Sequence, residues 1–519
     1  MGRSLSETAA GAVPANIVTM KTMDDLAIGD IVASGASGKV GFVSSTNNVP
    51  NRTVDDVVSS TVVTPLGTTG YMHPEYNRYL SNHILFADGN EFLAYTGNGT
   101  TTTTNAGFYS FGTDTKTNVT TGTGLTLSGL EKLNESSFIH LSTTTNNAAL
   151  QFTIRGKDGT VIKALTSLGT FVIGEGGVSV SSNGVDRIAI SYDTASGNYL
   201  TILDYSGNVI GTAIQLSTSS GGNYSRVKFL ANGNILALYA KAGLTTFTKQ
   251  FTKEGVAIGA ELQISTANSW LLLKASTIRN IQSVGANIYV VANNASTVKI
   301  YKISPTNTLI SSKVVYTYFA LVADILLTAE GNLLVSCVYG SIVYFGLFTQ
   351  DLALIKSGNF DITISASTGY ISSNLFISEV PNGYVVFCQL YDSSFNLRVY
   401  FITPTFVSAG VALTIVSSNG SPIASSVIRH KGELYLSGAY SANSYNLCRR
   451  VINAGKQSVI GVATSTAAAG GDVGVLVEGE ATLNSNYSLI GAFDLRAAVP
   501  YGNRGVVVGN KATMFGIKV

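Results

Sequence analysis

Charge is what this chain has least of. Among 519 residues, 32 are Lys or Arg and 30 are Asp or Glu, so 12% are charged, against about a quarter in an ordinary soluble domain. A net charge of +2 sets up no field to draw in a polyanion, and Arg449-Arg450 is the one adjacent basic pair. Neither nucleic acid nor an anionic membrane surface is an expected partner. Cysteine is nearly missing as well. Cys337, Cys388 and Cys448 make an odd count without ligand spacing, which excludes a disulfide framework and a zinc site and leaves buried free thiols.

Other absences narrow the chemistry. The four histidines, His73, His83, His140 and His430, show no His-x-His or His-Glu-x-x-His spacing, and are expected at the surface or at strand ends. No Gly-Lys-Ser/Thr phosphate loop occurs, and Gly174-Glu175-Gly176-Gly177-Val178 is too short and polar for a dinucleotide fingerprint. Trp270 is the lone tryptophan, and the Ser-x-Asp-x-Gly-x-Thr-Trp box of sialidase propellers does not occur. Asp186, Asp193, Asp204, Asp324, Asp351, Asp361 and Asp392 are carboxylates that a glycoside hydrolase could pair, at the separation of about 5–9 Å that such chemistry needs. No cofactor, metal or catalytic set is expected.

No stretch combines a sustained 3.6-residue period with capping signals, so helix is not expected. The most apolar run, Leu333 to Phe348, is β-branched and broken by Gly340. It falls short of the roughly 20 residues of a spanning helix, and is expected to be a buried hairpin without membrane insertion. Met1-Gly2-Arg3-Ser4-Leu5-Ser6-Glu7 has no apolar core of a secretory signal.

What is abundant is repetition. Apolar strand, Gly turn and apolar strand recur, as in His83 to Tyr95, Arg226 to Tyr239 and Asp324 to Ser336. The turns are marked by Asp88-Gly89, Asp158-Gly159, Ser206-Gly207, Asn232-Gly233, Glu254-Gly255, Glu330-Gly331, Asn382-Gly383 and Lys431-Gly432, with Gly accepting the positive φ of short hairpin loops. Repeats start near 83, 136, 186, 226, 286, 323, 375 and 426. A period of about 50 residues with four strands per unit predicts an all-β fold, a β-propeller of eight blades, with seven as the alternative.

The ends of the chain differ from its middle. The expected organisation is an extended arm over 1–22, half of a terminal β module with a linker over 23–60, the propeller over 76–455, and the other half of the module over 458–519. Neither end can bury a core alone, so the two are expected to pair into one small β domain. The first half contains Gly29-Asp30-Ile31-Val32 and Gly38-Lys39-Val40. The second contains Gly461-Val462-Ala463 and Ala467-Ala468-Ala469-Gly470-Gly471-Asp472-Val473. Together, Ile28 to Val43 and Ile460 to Ala481 resemble the base module of tailed-bacteriophage tail-fibre and other virion proteins, and Tyr501 to Val519 is similar to its closing strands.

That resemblance implies a virion structural protein, a tail fibre whose terminal module attaches to tail, baseplate or head proteins. The inserted propeller would bind a host-surface glycan or protein without chemical turnover, as a homotrimer. A propeller-based polysaccharide-degrading tail enzyme and a head or collar decoration protein are the alternatives. Tyrosine is the plausible recognition chemistry, because a flat ring with a hydroxyl costs little entropy to place. Tyr440, Asn443 and Tyr445 in one expected loop, with Tyr391 and Tyr370, are the receptor-binding candidates.

Overall fold

Second strands such as Ile235–Lys241 (ILALYAK) are apolar at consecutive positions, as happens when both faces of a strand are covered. The computed structural model shows why. It describes the strands between Asn16 and Lys518 and most of the turns joining them over 83–361; residues 1–15, 43–58, 64–82, 266–279, 362–369 and 483–490 lie outside the described residues. Among the described residues there is no helix, and the strands form eight four-stranded antiparallel sheets and one eight-stranded sheet.

Seven of the four-stranded sheets are consecutive in the chain, spanning 83–122, 128–170, 179–217, 225–265, 281–316, 322–361 and 370–414. The eighth takes three strands from 423–453 and its fourth, Ser59–Val63, from near the start of the chain. The first strand of each sheet lies beside those of its neighbours, and the first strand of the eighth sheet, Ile423–His430, meets that of the first, His83–Leu85, so the ring closes. The strands are arranged as the blades of an all-β propeller.

The core lies between sheets. In Ile235–Lys241, Ile235, Ala237 and Tyr239 pack toward the third sheet with Ile202 and Leu216. Leu236, Leu238 and Ala240 pack toward the fifth with Ile288 and Val290. The fourth strands are different: Val161–Thr170 is exposed or half-buried throughout, and Ala257–Ser265 is so until its last two residues, as the outer rim should be.

Some first strands are short and polar, and the sequence hides them, whereas the repeat starts near 83, 226, 323, 375 and 426 fall on first strands. Ser179–Ser182 (SVSS) and Ile281–Val284 (IQSV) carry no apolar run. Repeat starts placed near 136, 186 and 286 therefore fall at second strands, which begin at Ser137, Arg187 and Asn287. Inner strands present an unpaired backbone edge, and neighbouring polar side chains satisfy it. Ser181 Oγ accepts from Phe229 N at 3.0 Å, Lys228 Nζ donates to Ile281 O at 2.6 Å, and Asp324 Oδ2 accepts from Ile377 N at 2.9 Å.

The two chain ends meet in the eight-stranded sheet. Its path runs Val40–Phe42, Ile31–Ser34, Ser458–Ala463, Asp472–Thr482, Lys511–Lys518, Tyr501–Val508 and Gly491–Arg496. Asn16–Lys21 pairs with Asp472–Thr482, so this part of the expected arm is a strand. The motif residues quoted above bind the halves together: Gly29 N donates to Ala463 O at 2.8 Å, Thr22 N to Gly471 O at 3.0 Å and Gly470 N to Thr22 O at 2.8 Å. Gly461 permits the contact with the adjoining strand, because a Cβ there would stand 2.3 Å from Leu476 O.

The expected boundary at 60–76 shifts. Ser59–Val63 reads as linker because it is short and polar, yet it supplies the outermost strand of the last blade. Its Ser59 lies opposite Ile452, and the strand beside it ends at Asn453, opposite Glu433. The chain therefore enters and leaves the ring at the end of the blade that carries the turns between first and second strands and between third and fourth. This is the near end. The far end carries the turns between second and third strands and the connections from sheet to sheet.

Candidate functional site

The two ends of the blades differ in charge. Between the strand bounds, the near-end turns hold eleven charged residues, including Asp88, Lys157, Asp186, Lys253 and Asp351. The eight turns between second and third strands, at the far end, hold one, Asp392, among Gly, Ala, Ser, Thr and Asn with Leu244 and Phe395.

Near-end charge is used to tie blade to blade. Lys157 Nζ lies 2.6 Å from Asp88 Oδ2, Lys253 Nζ 2.9 Å from Asp186 Oδ2, and Lys302 Nζ 2.7 Å from Asp351 Oδ1, each pair bridging adjacent sheets. Hydrogen bonds from Asn183 and Lys253 hold Asp186 below the usual carboxylate range, and those from Lys302 do the same for Asp351. Water and salt screen such surface pairs, so they set register between blades more than they add stability. These carboxylates are ion-paired in separate seams.

Two carboxylates are pushed the other way. Burial raises Glu131, on the first strand of the second sheet, and Asp193, on the second strand of the third sheet, to about 8 each, against the pull of Lys132 and of Asn198 respectively. Asp193 is held locally: Asn198 Nδ2 donates to it, and Ser225 Oγ lies 3.4 Å from the same oxygen. Asp324 is also buried, accepting the Ile377 N–H described above.

His83 and His140 are buried rather than at the surface, at 1% and 0% exposure. His83 Nε2 sits 2.6 Å from Glu91 Oε1, and His140 Nε2 sits 2.7 Å from Ser128 Oγ, which donates to Gly107 O at 3.0 Å. Burial, with Arg155 nearby, pushes His140 down to about 3, so it is a neutral hydrogen-bonding group of the core. No group of three or more His, Cys, Asp or Glu that could hold a metal ion occurs among the described residues. Cys337 is a buried free thiol whose burial pushes it up to about 12. The run Leu333 to Phe348 is the expected hairpin, strand Leu333–Tyr339 paired with Ile342–Phe348.

Tyrosines recur at one place in the blade. Tyr95, Tyr192, Tyr239, Tyr339, Tyr391 and Tyr440 each lie at or within two residues of the far end of a second strand. Most of those whose side chains are described are packing groups. Tyr95, Tyr192 and Tyr239 are at most 5% exposed, and their hydroxyls meet Thr117 O at 3.1 Å, Thr201 Oγ1 at 3.2 Å and Glu261. Tyr339 is the exception at 45% exposure.

Four of the five receptor-binding candidates, Tyr370, Tyr391, Tyr440 and Tyr445, map to the far end. Tyr370 opens the first strand of the seventh sheet and lies opposite Tyr391, which closes the second. Tyr440 and Tyr445 are strand residues, opposite Asn446 and Ser441, so the expected loop narrows to 442–444. Asn443 lies outside the described residues. Tyr318 and Tyr339, exposed on the same end, were not singled out by the sequence; their position at or just past a strand end is the signal that could have found them.

No family model matches this chain, and no curated protein matches it. Among solved structures it is similar to the Dos1 propeller, at 10% identity over 76% of this chain and 96% of that one, with a TM-score of 0.45. It is similar to a protein from Lactobacillus plantarum at 10% identity, covering 62% and 97%, TM-score 0.40. A putative 6-phosphogluconolactonase from Bacteroides uniformis gives 15% identity, covering 62% and 94%, TM-score 0.37. At such identities likeness bears on fold alone, and a propeller fold by itself does not decide whether a chain is an enzyme.

Proposed function

We propose that this chain is a structural protein of a tailed-bacteriophage particle, a tail fibre that displays a propeller to the host surface. The observation that carries this reading is the polarity of the molecule. Both connections to the terminal sheet leave the near end, and the residues between Asn453 and Ser458 are so few that they reach at most about 18 Å when extended. The terminal sheet is thereby tethered beside the charged turns, and the turns whose one charge is Asp392 lie at the opposite end with the tyrosines. One end suits docking on other virion proteins, and the other is free to meet a host glycan or protein.

Self-association as a homotrimer belongs to the same proposal. Outermost strands of the second, fifth and sixth sheets carry exposed aliphatics, Val161, Ile162, Leu309, Ile310, Leu354 and Ile355. Surface of this kind is commonly covered in an assembly.

The test uses particles carrying the altered protein. Replacing 392–396 and 442–444 by Gly-Ser segments of equal length is expected to abolish adsorption to host cells while particles assemble normally. Normal adsorption of such particles would refute the receptor-binding role, and their absence from purified particles altogether would refute the virion assignment.

A further inference from the structure

Four tyrosines gather at the far end, where the fifth and sixth sheets meet. Tyr316 closes the outermost strand of the fifth sheet, Tyr318 lies in the connection that follows, Tyr339 closes the second strand of the sixth, and Tyr344 lies near the start of its third. Tyr316 is 9% exposed and packs against Tyr344, forming a floor. Tyr318 and Tyr339 stand on it at 55% and 45% exposure, their ring centroids 5.4 Å apart and their planes within 17° of parallel. Tyr316 also contacts both of them, with centroids 5.4 and 6.5 Å away, so the exposed pair is backed by a buried ring.

The surroundings select the ligand. The other large exposed hydrophobics among the described residues are aliphatic and lie elsewhere, on near-end turns such as Val185 and Val256, on outermost strands such as Leu309 and Leu354, or on the terminal sheet. A protein partner needs an apolar patch with a core, which two tyrosines do not supply. A charged ligand needs countercharge, and the connection 317–321 and the turn 340–341 that flank the pair hold no charged residue. A sugar ring offers a C–H face to stack on an aromatic ring, with neutral hydroxyls for phenol, Ser, Thr and Asn groups.

We propose that Tyr318 and Tyr339 form a stacking platform for an uncharged saccharide, held by the Tyr316–Tyr344 floor. The inference deepens the reading above, resting on it for the source of the sugar, the host surface. The far end then reads glycan by ring stacking rather than by ion pairing, and binding is insensitive to salt.

The experiment uses the full-length protein in affinity electrophoresis through dextran, mannan and galactan, with hyaluronan and polygalacturonate as anionic comparisons. Retardation by at least one neutral polymer and by neither anionic one is expected. Tyr318→Ala and Tyr339→Ala should each weaken it about tenfold, the scale of one lost ring contact. Tyr339→Phe should keep most of it, and Lys157→Ala at the near end all of it. In the unaltered protein, bound polymer should protect Tyr318 and Tyr339 from tyrosine nitration, a readout independent of how any variant folds. Retardation by no neutral polymer, retardation unchanged in both alanine variants, or unprotected rings would overturn the inference. Host attachment that survives Tyr318→Ala overturns it while leaving the tail-fibre reading standing. Polymer binding without attachment to any cell keeps it and removes that reading.

Discussion

His140 shows how a residue that looks reactive in a sequence becomes structural in a blade. It is wholly buried, it lies on a second strand, and its Nε2–H donates to Ser128 Oγ, which passes the bond to Gly107 O of the preceding sheet. Its folded-state pKa is depressed to about 3 from 6.5. The unfolded chain therefore takes up a proton below about pH 6.5 that the folded chain refuses until about pH 3. The stability this histidine contributes is complete above pH 6.5 and is lost as pH falls toward 3, at up to about 1.4 kcal/mol per pH unit. His140→Gln keeps a donor and cannot titrate, so the gap in unfolding free energy between the two proteins should close by about 2 kcal/mol between pH 6.5 and pH 5. Denaturant unfolding at those two pH values checks this; a gap that stays constant would mean that His140 is charged in the fold. Glu131 and Asp193 act in the opposite sense, because their raised pKa values favour the folded state at low pH. The contrast between variant and unaltered protein removes their contribution. Nothing in the spacing of His140 foretold burial; the apolar neighbours Ile139 and Leu141 were the available sign.

At the scale of the strand, legibility follows burial. Second and third strands were plain in the sequence because both faces are covered and the residues run apolar. Some first strands, Ser179–Ser182 and Ile281–Val284 among them, were obscure because their partners are backbone edges of the next blade, met by Ser and Lys rather than by Leu or Val. Outermost strands were blurred for a third reason. Six of them, in the first to sixth sheets, shift register against the third strand. Such bulges twist a free edge away from pairing with another molecule and break the two-residue alternation. The difference in coverage has a measurable consequence. Leu236, fully buried between the fourth and fifth sheets, should cost about 2–5 kcal/mol when cut to Ala. Leu165→Ala, on an outermost strand at 41% exposure, should stay within about 0.5 kcal/mol. Equal costs in thermal unfolding would contradict this division into core and rim.

The whole molecule depends on a piece of sequence that looked like linker. Seven sheets are made from continuous chain, but the eighth borrows Ser59–Val63, which pairs with Tyr445–Asn453 from Cys448 to Ile452. A ring assembled from one chain needs such a clasp, since otherwise its first and last blades are held only by side-chain contacts across the seam. The strand is five residues of Ser, Thr and Val, with no apolar run to announce it, and its partner lies almost 400 positions away in the sequence. Pairing over that separation is invisible to any reading of local pattern. Replacing residues 59–63 by a Gly-Ser segment of equal length removes the strand without shortening the chain. The third strand Tyr445–Asn453 then becomes a bare edge, open to pairing with another copy. The expected result is a fall in Tm of roughly 5 °C or more, for a loss of a few kcal/mol, together with light scattering that grows with protein concentration. Lengthening 43–58 by the same Gly-Ser segment changes loop entropy by under about 1 kcal/mol and should leave both readings unchanged. A Tm that does not move when the strand is replaced would mean that the ring stays shut through blade-to-blade packing alone. The terminal sheet, tethered at the same end of the same blade, would then be the clasp.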